Sequence, residues 1–507
     1  MSIPRSIRCV AFVGLFFGTN TASAQQVSIL SRSVTDTAGV GWSQDARATA
    51  DGHQVVFASN ANNLVLNDTG GTDIFVRDRF NATLKRMSVR ADGSQAIGAH
   101  WHPDISSDGR YIVFSSDSTS LVTPSTTGRQ IYLRDRDTDA DGIFDEPGAV
   151  AVELISVSSS GVRAVGDSGL PCVSANGRYV TFQSLSANLV AGDSNGVMDV
   201  FLRDRWSGTT VRVSSTSASA GNAASNVPNI SRNGEYVVFQ SNASNLIAGD
   251  TNQTTDVFRY AVNGGMLERI SVSSSGTQLS AGSVLGSEAI VGPCISADGR
   301  QIIFQTSSAA IAGDTNGQID IYVRDMKLLS TVRVSSRANG SQTVYPCISG
   351  TMSSDARFVL FSTTDNLVIA NDTNNRQDIF MHDRDLDGDG IFDEPGETSI
   401  RRVSVGSRGV QTSLASYGGR IIDGGTEVIF ATTAGNLVQG DNNGFPDVFR
   451  VDFDFCSGDY DFSGVVDGDD VIAFFGDWSA GSGDIDLSGA TDGDDVIYFM
   501  THWDAGC

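Results

Sequence analysis

Two acidic segments near the C-terminus have a spacing that suits a metal ion. Residues 459–470 and 484–495 align as two copies of one twelve-residue segment, with Asp at positions 1, 3, 9 and 12 and Gly at position 6. Oxygen ligands at alternate loop positions, with glycine where the chain turns sharply, are typical of Ca²⁺ loops. With position 7 contributing its backbone carbonyl, the predicted Ca²⁺ ligands are Asp459, Asp461, Ser463, Val465, Asp467, Asp470, Asp484, Asp486, Ser488, Ala490, Asp492 and Asp495.

Two further acidic segments carry a denser version of this spacing. Residues 137–146 and 385–394 share the pattern D-x-D-x-D-G-I-F-D-E, and five acids in ten residues repel one another unless a counter-ion is present. The spacing resembles the Ca²⁺ loops of thrombospondin type 3 repeats, and the alternative is a solvated acidic loop. The predicted Ca²⁺ ligands are Asp137, Asp139, Asp141, Asp145, Asp385, Asp387, Asp389 and Asp393.

A weaker acidic pattern, Asp-x-Asn followed by a later Asp, recurs along the chain. Its copies are Asp193, Asn195 and Asp199; Asp250, Asn252 and Asp256; Asp314, Asn316 and Asp320; Asp372, Asn374 and Asp378; and Asp441, Asn443 and Asp447. A shortened copy of the pattern holds Asp68 and Asp73, and one further copy has no acids at these positions. These residues suit a hard cation, but we favour the alternative that Asp and Asn shape the turns through Asx hydrogen bonds.

These loops recur because the chain itself repeats, with a period of about 57 residues. Each unit reads S-x-D-G-R-Y-V-x-F, then D-V-F-x-R-D, then a short strand. The first aromatic column is Phe57, Phe114, Phe182, Phe239, Phe304, Phe361 and Phe430, and the second is Phe75, Tyr132, Phe201, Phe258, Tyr322, Phe380 and Phe449. Asp-Gly turns between alternating runs indicate hairpins. Four short strands repeated seven times predict a mainly β fold, a seven-bladed β-propeller.

The seventh unit has no fourth strand of its own. After Phe449 the chain runs into a different segment, whereas Val27–Ser31 at the other end has the character of a fourth strand. We therefore predict that this N-terminal strand completes blade seven and closes the ring, which removes exposed sheet edges. The alternative is an open or six-bladed ring.

The first strand of each unit should line the central channel. Counting four residues back from each Asp-Gly position gives a polar ring of Arg47, Asp104, Cys172, Asn229, Cys294, Thr351 and Arg420. We predict ligand binding at Arg47, Asp104, Asn229 and Arg420, and we interpret the cysteines as core residues. Asp104 is the ring's only carboxylate, so the pair needed for glycoside hydrolysis is missing. His100 and His102 are predicted on the surface, and no catalytic residue is predicted.

The repeat unit resembles the TolB-type propeller repeat of secreted and periplasmic bacterial proteins. The resemblance rests on S-x-D-G-R-x-V-x-F and D-V-F-x-R-D and covers roughly residues 27–452. It implies the fold and no particular activity, because propellers carry many functions.

The C-terminal segment resembles a dockerin, a module of two half EF-hands in which each loop is followed by a helix. Ser463 and Ser488 depart from the usual Asp or Asn at position 5. The resemblance implies a small all-α Ca²⁺-binding domain and a cohesin-type protein partner. Cys456 and Cys507 bracket the segment, and a disulfide between them would staple so small a module.

The N-terminus has the features of a secretory signal peptide. Arg5 and Arg8 precede an apolar run over 9–18, and Ala22-Ser23-Ala24 fits cleavage before Gln25. The predicted organisation is a signal peptide over 1–24, the propeller over 25–454 and the dockerin-like domain over 455–507, with an extracellular or periplasmic location. No later run is long enough to span a membrane. With 59 acidic against 34 basic residues, the net charge of −25 also disfavours nucleic acid as a partner.

Two functions fit these features. The first is a secreted, non-catalytic binding or scaffold protein whose Ca²⁺-supported propeller takes a protein or glycan ligand. The alternative is an extracellular enzyme acting on polysaccharide as a hydrolase or lyase, since dockerins are often fused to such enzymes. The single carboxylate of the channel ring favours the first.

Overall fold

A computed structural model describes residues 26–453 apart from 217–218, 287–293, 407–409 and 423, together with seven helical residues between 471 and 500. The predicted signal peptide, the predicted C-terminal Ca²⁺ loops, and Cys456 and Cys507 lie outside the described residues. The strands are β1 (Gln26–Ile29), β2 (Ser43–Ala48), β3 (Gln54–Ser59), β4 (Asp73–Asp78), β5 (Thr83–Arg86), β6 (His100–Ile105), β7 (Tyr111–Ser116), β8 (Gln130–Asp135), β9 (Ala151–Leu154), β10 (Ser168–Val173), β11 (Tyr179–Ser184), β12 (Asp199–Asp204), β13 (Thr209–Arg212), β14 (Ser225–Ile230), β15 (Tyr236–Ser241), β16 (Asp256–Ala261), β17 (Leu267–Arg269), β18 (Ser283–Val284), β19 (Gln301–Thr306), β20 (Asp320–Asp325), β21 (Ser330–Arg333), β22 (Ile348–Met352), β23 (Phe358–Thr363), β24 (Asp378–Asp383), β25 (Ser399–Arg402), β26 (Ser416–Ile421), β27 (Glu427–Thr432) and β28 (Asp447–Asp452).

The strands form seven antiparallel sheets of four, which confirms the seven-bladed propeller. Six blades are built from consecutive strands, starting with β2–β5 as blade one and ending with β22–β25 as blade six. Their second and third strands are buried on both faces because each blade packs between two neighbours. The cores therefore lie between blades rather than within one.

The two aromatic columns of the repeat meet inside every blade. Phe57 and Phe75 lie opposite each other on β3 and β4, with ring centroids 5.8 Å apart and the rings stacked. The other six blades repeat this pair at 5.7–6.1 Å. Directly opposed aromatic side chains are a favourable cross-strand pair, so the most regular feature of the sequence forms the centre of each blade.

The Asp-Gly turns tie each blade to the next. Asp108 accepts hydrogen bonds from Ser106 Oγ and the Arg110 backbone N–H, which fixes the turn between β6 and β7. At the equivalent turn of blade three, Gly177 has φ of 69°, and a side chain there would run into the Tyr111 ring of blade two. Glycine is therefore required both for the turn and for the close approach.

The first strands of six blades, all except blade five, contain a bulge that the sequence analysis did not predict. In blade one the pairing of β2 with β3 shifts between Gln44 and Arg47, and Asp45 between them has φ of 58°. His102, Leu170, Val227, Ser349 and Gly418 occupy the same position in other blades, also with positive φ. Proline within a strand is a signal for such bulges, and Pro103, Pro171 and Pro228 follow three of these residues.

The ring closes as predicted, with an N-terminal strand in blade seven. The strand order of that blade is β1-β28-β27-β26, and Val27 pairs with Val451. Ser31, just beyond β1, donates a hydrogen bond from Oγ to the buried Asp447 carboxylate at 2.5 Å. The two ends of the propeller are therefore held by backbone pairing and by a buried polar contact.

Five described residues at 471–478 are helical, in the segment where a helix is expected after the first C-terminal loop. Among them, Phe474 is buried and its ring packs edge-on against Phe475. No helix among the described residues is long and apolar enough to cross a membrane.

If β1 closes the ring, Val27→Ser should lower the free energy of unfolding by about 2 kcal/mol, because Val27 is only 7% exposed and a polar side chain forfeits its burial. Val34→Ser is the matched control, since Val34 is 62% exposed and a change there should stay within about 0.5 kcal/mol. Denaturant unfolding of both variants measures the difference. Equal stability of the two variants would contradict the prediction that β1 stabilises the closed ring.

Candidate ligand site in the channel and candidate metal loops

The channel ring is assembled largely as the sequence indicated. Two adjoining clefts, one larger than the other, share Arg47, Asp104, Cys172 and Asn229 in their walls. Arg420 lines the larger cleft. All five residues lie just after the bulge in their strands, so the bulge sets the direction in which they leave the sheet.

Two members of the predicted ring do not face the clefts. Thr351 is buried and donates a hydrogen bond to the Gly419 carbonyl at 3.1 Å. Cys294 is buried with its thiol directed at the Leu285 carbonyl, 3.6 Å away. The ring is thus asymmetric, with its charged residues in blades one, two and seven. The sequence analysis missed Arg232 and His102, which also line the clefts.

The charges of the ring are unevenly balanced. Arg47 Nε lies 4.0 Å from Asp104 Oδ1, and Asp104 Oδ2 accepts a hydrogen bond from the Val173 backbone N–H at 2.9 Å. Arg420 is 5% exposed and donates to the Gly419 carbonyl at 2.7 Å. With Asp45 and Arg232, which line the same clefts, two carboxylates and three guanidinium groups border this part of the channel among the described residues.

Burial lowers the pKa of Arg420 well below its usual value, and repulsion by Arg47 lowers it further, whereas Asp45, Cys294 and Asp104 act in the opposite direction. Both leading effects destabilise the charged guanidinium. An anion brought into the channel would offset both, since it supplies the opposite charge and accepts hydrogen bonds.

Cys294 and Cys347 are buried core residues as predicted, whereas Cys172 is half-buried and lines both clefts. Burial, followed by the nearby Asp104 carboxylate, raises the pKa of the Cys172 thiol well above its usual value. Burial raises the pKa of Cys347 to about 12. Because the thiolate is the nucleophile, neither thiol is activated for chemistry.

The prediction that His100 lies on the surface is wrong. His100 is fully buried in β6, with its ring edge-on to Phe114 at 5.8 Å, and burial lowers its pKa to about 4. Side chains alternate between the two faces of a strand, and His100 lies on a face of β6 that packs into the core. His102 is half-buried, and its Nδ1 lies 3.2 Å from Ser115 Oγ.

The acidic insertions bring three carboxylates together in each loop. In the loop between β8 and β9, ligand atoms of Asp137, Asp139 and Asp141 lie within 4.8 Å of one another. Both Asp137 oxygens accept backbone hydrogen bonds, from Asp141 and Gly142 at 3.1 Å. The loop is therefore folded around Asp137.

The second insertion, between β24 and β25, repeats this trio with Asp385, Asp387 and Asp389. Asp385 is 4% exposed, and its Oδ2 accepts the Gly390 backbone N–H at 3.1 Å. Its Oδ1 is buried without a hydrogen-bond partner. A buried carboxylate oxygen beside two further acids is a favourable place for a hard cation.

The fourth acid of each insertion does not join its trio. Asp145 Oδ2 accepts hydrogen bonds from Arg136 Nε and Nη2 at 3.0 and 2.7 Å. Asp393 forms a two-point ion pair with Arg384 at 3.0 and 2.6 Å. These acids are held by guanidinium groups, so they anchor the loops to the blades rather than lie beside the three other carboxylates.

The inter-strand loops have the Asx geometry that we favoured. In blade three, Asn195 Oδ1 accepts the Val197 backbone N–H at 3.2 Å, and its amide donates to Asp199 at 2.8 Å. Blades four to seven repeat both contacts. The sequence analysis overlooked the partner of these acids, which is an arginine of the fourth strand. Arg212 Nη1 lies 3.0 Å from Asp193 and 3.4 Å from Asp199.

No family model and no curated protein matches this chain. Among solved structures, it is similar to a TolB protein from Agrobacterium tumefaciens, at 16% identity over 64% of this chain and 93% of that one, with a TM-score of 0.35. A TolB from Acinetobacter baumannii matches at 14% identity over 70% and 78%, with a TM-score of 0.33. An oligogalacturonate lyase in complex with manganese matches at 10% identity over 85% and 90%, with a TM-score of 0.45.

The strand order of the chain itself defines the class, a seven-bladed β-propeller closed by its N-terminal strand.

Replacing Arg384 by Met should lower the free energy of unfolding by about 3–5 kcal/mol, because Arg384 is buried, pairs with Asp393 and donates to Gln301. Arg376→Met is the matched control, since Arg376 is exposed and a change there should stay within about 0.5 kcal/mol. Denaturant unfolding compares the two variants, and a loss of less than about 1 kcal/mol in Arg384→Met would contradict the prediction.

Proposed function

We propose that this protein is a secreted binding protein without catalytic activity of its own, whose channel takes a carboxylate-bearing ligand. The observation that supports it is the convergence of Arg47, Arg232 and Arg420 on one cleft of the channel. A guanidinium presents a planar fork of N–H donors that matches a carboxylate. Three guanidinium groups around one cleft favour a role in binding.

We favour an acidic glycan as the ligand. The shared wall of the two clefts adds the Asn229 amide to the charged groups, and amides bind hydroxyl groups. A sugar acid offers both a carboxylate and hydroxyls to these groups. An acidic protein segment is the other occupant that the same chemistry accepts, and the binding experiment separates the two.

The three-acid insertions are proposed Ca²⁺ sites that brace the rim of blades two and six. Asp137, Asp139 and Asp141 would hold one ion, and Asp385, Asp387 and Asp389 another. Neutralising each trio would remove the repulsion among its carboxylates and order the loop. These residues lie away from the channel, so the ions would act on the loops and not on the ligand.

The C-terminal segment is proposed to be a dockerin-like module that attaches the propeller to a cohesin-type protein. The support is the duplicated twelve-residue pattern over 459–470 and 484–495, each copy ending in an Asp that closes the loop. A disulfide between Cys456 and Cys507 belongs to this proposal. The C-terminal module would then bring the propeller to the partner protein.

Binding of acidic oligosaccharides, such as oligogalacturonate or oligomannuronate, should be detectable by calorimetry, with neutral oligosaccharides inactive. Arg47→Met and Arg420→Met should each weaken the binding by about tenfold or more, as expected for a lost charge-assisted hydrogen bond. Arg376→Met is the control, because Arg376 is exposed on an outer loop and should bind as the wild type does.

Absence of acidic-glycan binding, with binding of an acidic peptide instead, would reassign the ligand. A reducing-end assay on the same oligosaccharides tests for turnover. Turnover that Asp104→Ala abolishes would establish the polysaccharide-active enzyme in place of the binding protein.

Metal titration of the full chain tests the C-terminal module. Asp470→Ala and Asp495→Ala should each remove one Ca²⁺ binding event, because position 12 supplies the carboxylate that closes each loop. Asp477→Ala, on a nearby Asp outside both loops, is the control and should leave the number of bound ions unchanged. Unchanged stoichiometry in both loop variants would count against the dockerin-like interpretation.

A further inference from the structure

In five blades, an arginine of the fourth strand neutralises the buried acids of the inter-strand loop. It stands opposite the second aromatic residue of its blade, as Arg212 does opposite Phe201. Its Nη1 approaches the loop carboxylates at 3.0–3.8 Å. These pairs are Arg86 with Asp68 and Asp73, Arg212 with Asp193 and Asp199, Arg269 with Asp250 and Asp256, Arg333 with Asp314, and Arg402 with Asp372 and Asp378.

Blade two shows that the acids and the arginine disappear together. Its residue at the arginine position, opposite Tyr132, is Leu154, and the position of the second acid is held by Gln130. Gln130 accepts Ser156 Oγ at 2.6 Å, so the hydrogen bond of the repeat survives without a charge. The acids of this loop and the arginine are therefore either both present or both absent in these six blades.

Blade seven alone keeps both acids without the arginine. Its fourth strand is β1, and the residue opposite Phe449 is Ile29. Asp441 and Asp447 nevertheless remain in the loop and are buried, and Asn443 bonds to Asp447 at 2.7 Å as in the other blades. Two buried carboxylates here lack the cation that accompanies them in five other blades.

The surroundings of Asp441 show the missing charge directly. Asp441 is 6% exposed, and its Oδ2 is buried without a hydrogen-bond partner. Burial, and then the neighbouring Asp447, raise the pKa of Asp441 to about 6. The field of Arg32 reaches both carboxylates, but Arg32 directs its donors to Asp36 at 3.1 Å and to the Gln439 carbonyl at 3.3 Å.

We propose that a Ca²⁺ ion binds between Asp441 and Asp447 in blade seven, at the place that an arginine nitrogen takes in the other blades. Carboxylate oxygens are the preferred ligands of this hard cation. In blade three, the counterpart of Asp447 is Asp199, and its Oδ2 accepts hydrogen bonds from Asn195 and Arg212 at once. The same oxygen of Asp447 therefore has room for a second partner.

The position of the site gives the ion a structural role. Asp447 also accepts Ser31 Oγ at 2.5 Å, and Ser31 follows the N-terminal strand that closes the ring. A cation on Asp447 therefore joins the two ends of the propeller through one carboxylate. Ion binding in blade seven would stabilise the closure of the ring. The other blades do not need this stabilisation because each is built from consecutive strands.

Ile29→Arg tests the site by supplying the cation as a side chain. In chelator, the melting temperature of the full-length variant should exceed that of the wild type by about 2 °C or more, because the two buried carboxylates now have a positive charge beside them. In calorimetry with Ca²⁺ alone, the variant should bind one ion fewer than the wild type. Asp441→Asn should also bind one ion fewer, which keeps the test decisive if Ile29→Arg does not fold.

Arg212→Ile is the matched control, because it creates the same arrangement of two acids and an isoleucine in blade three. Arg212→Ile should bind one Ca²⁺ ion more than the wild type. Its melting temperature should rise when Ca²⁺ fills the new site in blade three. Equal numbers of bound ions in the wild type, Ile29→Arg and Asp441→Asn would overturn the proposal and leave a proton or Arg32 as the neutralising group. The channel arginines are untouched in all of these variants, so the outcome is independent of ligand binding.

Discussion

Each blade has two apolar faces and only its neighbours to cover them, so the ring has to close. Val56 and Phe57 on adjacent positions of β3 are both fully buried, in the interfaces of two different neighbours. A blade left without a neighbour would expose such a face and a free strand edge. The pairing of β1 with β28 is thus the contact on which all seven blades depend, and it joins residues at opposite ends of the propeller.

Charge in this propeller is mostly balanced locally, and the exceptions mark its candidate sites. Arg178 with Asp204 and Arg384 with Asp393 are two-point ion pairs within one blade. Asp441 in blade seven has a buried carboxylate oxygen without a hydrogen-bond partner, and burial disfavours its charged form. A buried group of this kind is a candidate for an external partner, here a cation.

Repetition explains how much of the fold was predictable. The aromatic columns and the Asp-Gly turns are local signals repeated in each unit, so errors at one position are corrected by the others. The bulge that turns Arg47 toward the channel carries a weaker signal, a proline in three of the first strands. His100 was misplaced because its burial depends on the phase that this bulge gives to the strand.

The sequence by itself determined the number of blades, the strands of each and the closure, because these follow from periodicity and from one surplus strand. It also indicated Arg47, Asp104, Asn229 and Arg420 as channel residues, from their equal distance to a turn. Only the tertiary structure decided which acids have a cation beside them. Arg212 lies at the end of β13 and Asp193 in the loop between β11 and β12, and the register of the strands brings them together as an ion pair. The same kind of register puts Ile29 opposite Phe449, a pairing between the two ends of the propeller that no local pattern records.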